Sequence, residues 1–254
     1  MREMQLTKIG NSFNGRLHQQ MNAAEQHIQT TTSMTNNMTK TTLALLAIFL
    51  TGVSSFGQAT QGVTVPRYND KYSAFVKQLE AGETDINYRD FRESFIESEQ
   101  FKIASKKSME LDSLKKEMYV QIKKENSQEI VRITKAMLSI DYTSMIAHKI
   151  LRQAYQIIGD TINAAKYKTI QFGLLNSIVK SGDGKTCSTA WPVIQIEEEY
   201  FILQMLGAQV QNQSVYSKSG LCDKMDVKTQ EGDDKTYYFE ISKIFEGYKR
   251  FGLK

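Results

Sequence analysis

The feature that most constrains the fold is a helical pattern that extends from residue 127 to residue 180. Apolar side chains recur there every three or four residues, which is the period of a helix with one buried face. Asn126 is a suitable N-cap with Glu129 three residues later, and Gly159-Asp160 interrupts the pattern. We therefore expect consecutive antiparallel helices joined by tight turns. The residues expected to face inward are Ile130, Ile133, Met137, Leu138, Ala147, Leu151, Ala154, Ile158, Ile162, Ala165, Phe172, Leu175, Ile178 and Val179.

Different patterns flank this stretch on both sides. Helical spacing also covers 72–79, 86–96 and 111–122, so the helical region is expected to span 68–180. After Gly184 the chain is rich in β-branched and aromatic residues, with turn signals at 217–220 and 231–234. The predicted fold class is α+β, with an antiparallel helical body followed by a small C-terminal antiparallel β-meander within 181–245. Residues 198–206 fit a helix as well as a strand, because they show no alternation of period two.

Residues 141–167 resemble one tetratricopeptide (TPR) repeat. The matching positions are Leu151, Tyr155, Gly159, Asp160 and Ala164. Arg152 departs from the pattern, since the repeat usually has a small residue there. The resemblance implies TPR-like packing of the helical body. It does not imply a long solenoid, which needs about three repeats to be stable.

A wider resemblance covers nearly all of the chain after residue 60. The segments that carry it are 72–76, 86–98, 147–160, 177–200 and 236–242. They are similar to a family of secreted proteins from the Bacteroides group, classified as domain of unknown function 4919. The resemblance implies a location outside the cytoplasm, and it brings no activity.

The apolar run from Thr41 to Ala59 predicts a cleavable signal peptide over residues 38–59. Its uncharged core is shorter than the roughly 20 residues of a membrane span, and Gly57-Gln58-Ala59 has small side chains where signal peptidase reads. We expect residues 1–37 to be an untranslated or disordered extension and 60–67 to be a flexible arm. The mature protein is then secreted or periplasmic and has no transmembrane segment.

Charge and motifs exclude nucleic acid and nucleotides as expected partners. The 32 basic and 28 acidic side chains nearly balance, and they form no dense basic block. The segment Ser181 to Thr186, SGDGKT, ends like a phosphate-binding loop. However, Val179 stands where that loop needs glycine, and the segment follows a helix instead of opening one. We expect a structural loop in which Gly182 and Gly184 adopt positive φ.

No catalytic or metal-binding pattern, and no cofactor motif, is present after residue 59. His148 is the only histidine there, so we expect it to be a packing residue. On a strand, Glu197 and Glu199 would share a face and could supply a carboxylate pair, with Glu198 on the other face, although a solvated strand end is the favoured interpretation. Cys187 and Cys222 could form a disulfide. In a simple meander this requires either a bent loop or a strand order that makes their strands neighbours.

Together these patterns predict a non-catalytic interaction or scaffold protein with a protein partner in the cell envelope. The alternative is a hydrolase or a small-ligand-binding protein with a site at the junction of helices and sheet. The candidate binding residues of that site are Asp183, Lys185, Glu198 and Tyr200.

Overall fold

The computed structural model describes residues 62–218 and 220–252. The predicted extension, the predicted signal peptide and residues 60 and 61 lie outside these ranges. Within them, nine helices and a four-stranded mixed sheet confirm the α+β class. The helices are α1 (Lys71–Glu80), α2 (Tyr88–Glu97), α3 (Glu99–Lys106), α4 (Ser108–Lys123), α5 (Ser127–Ile140), α6 (Met145–Ile157), α7 (Thr161–Val179), α8 (Ile196–Met205) and α9 (Ser242–Arg250).

The pattern at 127–180 forms α5, α6 and α7, and each of these helices packs against the next. Side chains cap their starts: Asn126 accepts from the N–H of Glu129 at 3.3 Å, and Asp160 accepts from the N–H of Asn163 at 3.0 Å. Gly159 has φ 81° between α6 and α7, a conformation that favours glycine. The turn therefore forms as the sequence predicted.

The buried face of α7 differs from the prediction. Ile158, Ile162 and Ala165 are exposed, whereas the prediction placed them inward. The buried residues of α7 are Ala164, Tyr167, Ile170, Gln171, Leu174 and Ile178. Because α7 has apolar residues on every side, period alone does not select the face that packs on α6 and α2.

The N-terminal helices pack through aromatic rings. Tyr72 of α1 stacks on Phe91 of α2 at 5.5 Å between centroids, and Tyr142 meets Phe91 edge-on at 6.3 Å. Residues 62–67 form no helix or strand, yet Val63 is buried and the N–H of Thr64 donates to Ser139 Oγ at 2.9 Å. This part of the predicted arm is therefore attached to α5.

The C-terminal sheet has the strand order β1-β4-β3-β2. Its strands are β1 (Trp191–Pro192), β2 (Gln209–Tyr216), β3 (Cys222–Lys228) and β4 (Asp234–Glu240). The antiparallel meander consists of β2, β3 and β4, while the two-residue β1 runs parallel to β4 and makes the sheet mixed. Residues 198–205 belong to helix α8, which settles the ambiguity in that segment.

Cys187 and Cys222 form a disulfide, with 5.9 Å between their Cα atoms. Strand β4 separates β1 from β3, so strand adjacency does not explain the bridge. Instead the loop before β1 bends, because Cys187 begins a short 3₁₀ turn, Cys187–Thr189, that packs on β4. Of the two routes left open by the sequence, the structure uses the bent loop.

Candidate functional site

Arg92 of α2 and Glu198 of α8 form a buried ion pair where the helical body meets the C-terminal region. Arg92 Nε donates to Glu198 Oε1 at 2.8 Å and Nη2 donates to Oε2 at 2.6 Å. The side chains are only 3% and 4% exposed. This parallel two-bond geometry is the strongest form of a carboxylate–guanidinium contact.

The pair makes further hydrogen bonds to its surroundings. Arg92 donates to the carbonyl of Pro192 at 3.1 Å and to Ser177 Oγ at 3.5 Å. The N–H of Ile194 donates to Glu198 Oε2 at 2.8 Å. The pair therefore joins α2 and α7 to β1, the 193–195 loop and α8. Its hydrogen bonds stabilise the fold.

A second polar network connects the turn between α5 and α6 to the start of α8. Thr143 donates to Asp141 Oδ1 through its N–H at 2.8 Å and through its hydroxyl at 2.6 Å. Gln195 Nε2 donates to Asp141 Oδ2 at 3.0 Å and to Thr143 Oγ1 at 2.8 Å. Burial raises the pKa of Asp141, although these hydrogen bonds act in the opposite direction.

A cavity of about 50 Å³ lies beside the two networks. Lys115 of α4 and Glu197 of α8 line it and pair at 3.0 Å. Burial acts to raise the pKa of Glu197, but the Lys115 ammonium outweighs it and lowers that pKa. The lining residues are Leu111, Lys115, Met137, Asp141, Thr143, Ser144, Met145, Ile146, Gln195, Glu197, Glu198 and Phe201. The volume suits one or two water molecules and is far below the roughly 300–1,000 Å³ of ligand pockets.

Glu199 lies deeper than its two acidic neighbours. Its side chain is enclosed, and neither carboxylate oxygen has a hydrogen-bond partner within residues 62–218 and 220–252. Burial, with Asp223, Glu198 and Glu197 nearby, raises the pKa of Glu199 to about 9. The favoured interpretation of these glutamates as a solvated strand end is wrong, because they form the first turn of α8 and Glu198 and Glu199 are buried.

The four candidate binding residues lie in three different environments. Asp183 and Lys185 lie together in an exposed loop, where the N–H of Lys185 donates to Asp183 Oδ1 at 3.0 Å. Glu198 lines the cavity, and Tyr200 donates its hydroxyl to Gln213 Oε1 at 2.9 Å. Of the four, only Glu198 lines the junction cavity, and the structure does not bring the set together there.

The SGDGKT segment is held by local contacts. Asp183 Oδ1 also accepts from the Thr189 hydroxyl at 2.6 Å, and Gly184 has φ 65°. Gly182 does not have positive φ, contrary to the expectation. Glycine is required at 182 for another reason, since a Cβ there would lie 2.3 Å from the carbonyl oxygen of Thr189.

His148 is a packing residue, as the sequence indicated. It is fully enclosed, and its Nε2 donates to the carbonyl of Tyr142 at 2.7 Å. Its ring lies 4.9 Å from that of Tyr142 and 5.8 Å from that of Tyr167. Burial lowers the pKa of His148 to about 4, so the ring is neutral near pH 7.

The family described as domain of unknown function (DUF4919) matches residues 64–250. The chain belongs to this family. The match confirms the resemblance inferred from the sequence, and the family description assigns no activity. No curated protein and no solved structure matches the chain.

In this DUF4919 protein, residues 62–218 and 220–252 contain no group of three or more His, Cys, Asp or Glu side chains placed to hold a metal ion. None of their helices is both long enough and apolar enough to cross a membrane. Sequence reasoning selected Glu198 but missed Arg92 and Asp141, because their partners lie 106 and 54 residues away along the chain.

Proposed function

We propose that this protein is a non-catalytic interaction or scaffold protein that works outside the cytoplasm with a protein partner of the cell envelope. The observation that carries the proposal is an exposed apolar surface at the end of the α6–α7 hairpin. Ile157, Ile158 and Ile162 are 57%, 45% and 82% exposed there. We refer to these three residues as the hairpin tip.

The composition of the hairpin tip is typical of a surface that contacts a partner. Single exposed apolar residues are common, but three isoleucines within six positions at one turn form a concentrated apolar surface. The turn does not need them, because Gly159 and Asp160 supply its geometry. A partner that covered the tip would remove this apolar surface from water, which favours association.

The junction supports the same proposal. The hydrogen bonds of Arg92, Glu198, Asp141 and Gln195 are made with one another, with nearby backbone, or with the hydroxyl groups of Ser177 and Thr143. The adjoining cavity of about 50 Å³ is too small for most substrates. Its polar groups are therefore assigned to holding the helices and the sheet together.

Export is supported by the apolar run at 41–59 and is compatible with the Cys187–Cys222 disulfide, since such bridges persist in oxidising compartments. Mass spectrometry of the N-terminal peptide tests it directly. We expect the exported protein to begin at Thr60. Recovery of peptides that precede Met38 from the exported protein would contradict both the signal peptide and the start site.

The interaction is tested by quantitative cross-linking in the cell envelope. The wild type is compared with a triple variant in which Ile157, Ile158 and Ile162 are each replaced by Gln. Asp141→Asn, which changes the cavity, is the matched control. A partner captured by the wild type and by Asp141→Asn, but lost from the triple variant, supports the proposal. Equal capture by all three proteins contradicts it.

The alternative is a hydrolase or a small-ligand-binding protein with its site at the junction. The observation that favours it is the cavity, where Asp141, Glu197 and Glu198 place three carboxyl groups beside Lys115. This alternative predicts that Asp141→Asn abolishes ligand binding or turnover while the triple variant retains it. Neither function uses a nucleotide, so ATP and GTP are expected not to bind, and Lys185→Ala is expected to leave stability nearly unchanged.

A further inference from the structure

Two basic side chains on one face of α6 have no anionic partner among residues 62–218 and 220–252. Lys149 and Arg152 are three positions apart, so they lie on the same side of the helix. Lys149 is only 7% exposed. Arg152 Nε is enclosed and has no hydrogen-bond partner in that part of the chain.

Such an arrangement is costly unless something else compensates for it. Buried cations in proteins are normally paired, because burial removes their hydration. Burial lowers the pKa of Lys149, and the neighbouring Arg152 lowers it further. Lys135, another lysine with little exposure, differs because Glu80 and Asp160 act on it in the opposite direction. In the described part of the chain, Lys149 and Arg152 have no comparable acidic neighbour.

None of the three acidic residues of the adjacent helix α8 pairs with these cations. Glu199 is buried beside other carboxylates and does not act on Lys149 or Arg152, and the other two acids are engaged elsewhere. Glu197 pairs with Lys115 at 3.0 Å, and Glu198 pairs with Arg92 at 2.6 Å. These carboxylates are therefore committed to other cations. The anion that would balance Lys149 and Arg152 must come from outside the described part of the chain.

Aromatic rings hold both cations in place. Lys149 Nζ lies 5.8 Å from the ring centroid of Phe201, and Arg152 Cζ lies 6.0 Å from that of Phe172. A ring face offsets part of the lost hydration, but it leaves the ammonium and guanidinium N–H groups available to an acceptor. Unlike Arg152 Nε, the Lys149 Nζ and Arg152 Nη atoms are not enclosed, so these ends of the two side chains are accessible to a ligand.

We propose that Lys149 and Arg152 form a binding site for a small oxyanion group: a carboxylate, a phosphate or a sulfate. The planar guanidinium can donate two parallel hydrogen bonds to such a group, and the ammonium adds a third charge-assisted bond. Arg152 also stands where the TPR pattern has a small residue, so the cation replaces a side chain that simple helix packing would use. The site is independent of the proposed function, since a scaffold and a ligand-binding protein could both use it.

The test is an anion titration of the full chain, followed by isothermal calorimetry and by thermal unfolding. Sodium phosphate, sodium sulfate and sodium acetate are each compared with sodium chloride at matched ionic strength. We expect saturable binding of at least one oxyanion and a matching rise in melting temperature. Binding of acetate indicates a carboxylate ligand such as an acidic peptide. Binding of only phosphate or sulfate indicates a tetrahedral anion.

Variants locate the binding. Arg152→Gln and Lys149→Met are each expected to weaken it about tenfold or more, because each removes a charge-assisted hydrogen bond. Methionine keeps most of the apolar length of the Lys149 side chain, so Lys149→Met still tests the proposal if Arg152→Gln does not fold. Lys168→Gln, which removes an exposed cation from α7, is expected to change nothing. Absence of saturable binding for all three anions, or equal binding in every variant, would overturn the proposal.

Discussion

Replacing Arg92 with methionine leaves the Glu198 carboxylate enclosed without its cation. Glu198 loses two of its three hydrogen bonds and keeps only the one from the N–H of Ile194. A hydrogen bond to a charged group contributes about 1.5–3 kcal/mol. The loss of two such bonds agrees with the roughly 3–5 kcal/mol found when one partner of a buried pair is removed. We expect Arg92→Met to lower the free energy of unfolding by about 3–5 kcal/mol.

Denaturant unfolding followed by circular dichroism measures this change, and thermal unfolding should show a decrease of about 6–20 °C. Arg89→Met is the matched control on the same helix. It breaks the exposed Arg89–Glu93 pair, 3.1 Å apart, and is expected to cost less than about 1 kcal/mol. The double variant Arg92→Met with Glu198→Gln removes both charges and keeps an acceptor for Ile194. Compared with the two single variants, it should show a coupling free energy between residues 92 and 198 of roughly 1–3 kcal/mol.

Two results would refute this reasoning. The first is a loss for Arg92→Met no larger than that for Arg89→Met, which would mean that the pair does not hold the junction. The second is additivity of the two substitutions in the double variant, which would mean that Arg92 and Glu198 act separately. Either result would leave the polar groups of the junction available for another role.

Three further predictions concern the sheet, a buried acid and the helical hairpin. Replacing Cys187 and Cys222 by serine removes a disulfide between residues 35 positions apart, which should lower the free energy of unfolding by about 4 kcal/mol. Chemical denaturation measures this loss, and an unchanged denaturation midpoint would count against the disulfide. The pKa of Glu199 rises from 4.5 to about 9 on folding, so the folded state retains this proton. Stability should therefore fall as pH rises from about 4.5 to 9, by up to about 1.4 kcal/mol per pH unit from this group, and Glu199→Gln should remove that dependence. Ala164→Leu should overpack the α6–α7 contact and lower the free energy of unfolding by about 1–3 kcal/mol. Ala165→Leu, on the exposed side, should change it by less than about 0.5 kcal/mol, and equal effects of the two substitutions would contradict the packing.

Local features of the sequence were enough to predict the helices at 127–180. Their caps and their turn depend on neighbouring residues, as Asn126 and Asp160 show. The buried face of α7 was not predictable in the same way, because apolar residues occur all round that helix. Ile162 was expected inside and is 82% exposed, since packing on α6 and α2 decides the orientation.

The candidate site was predictable only in part. Glu198 stood out as one of three consecutive acids, but nothing local pointed to Arg92, which lies 106 residues earlier. The sequence did not decide whether the disulfide requires a bent loop or adjacent strands, because a bent loop has no periodic sequence pattern. Arg152 was visible as a departure from the TPR pattern. That no anion pairs with it among the described residues became apparent only when the neighbouring helices were in place.

The affinity of the captured envelope partner for three purified proteins tests the central claim most directly. The wild type, the triple hairpin-tip variant and Asp141→Asn are compared by calorimetry, after circular dichroism has shown that each is folded. We predict that the triple variant binds at least about tenfold more weakly, because three exposed isoleucines that the partner would cover are replaced by polar groups. Asp141→Asn should bind like the wild type. Full affinity in the triple variant, with binding lost in Asp141→Asn, would contradict the proposed function and place the site in the junction cavity.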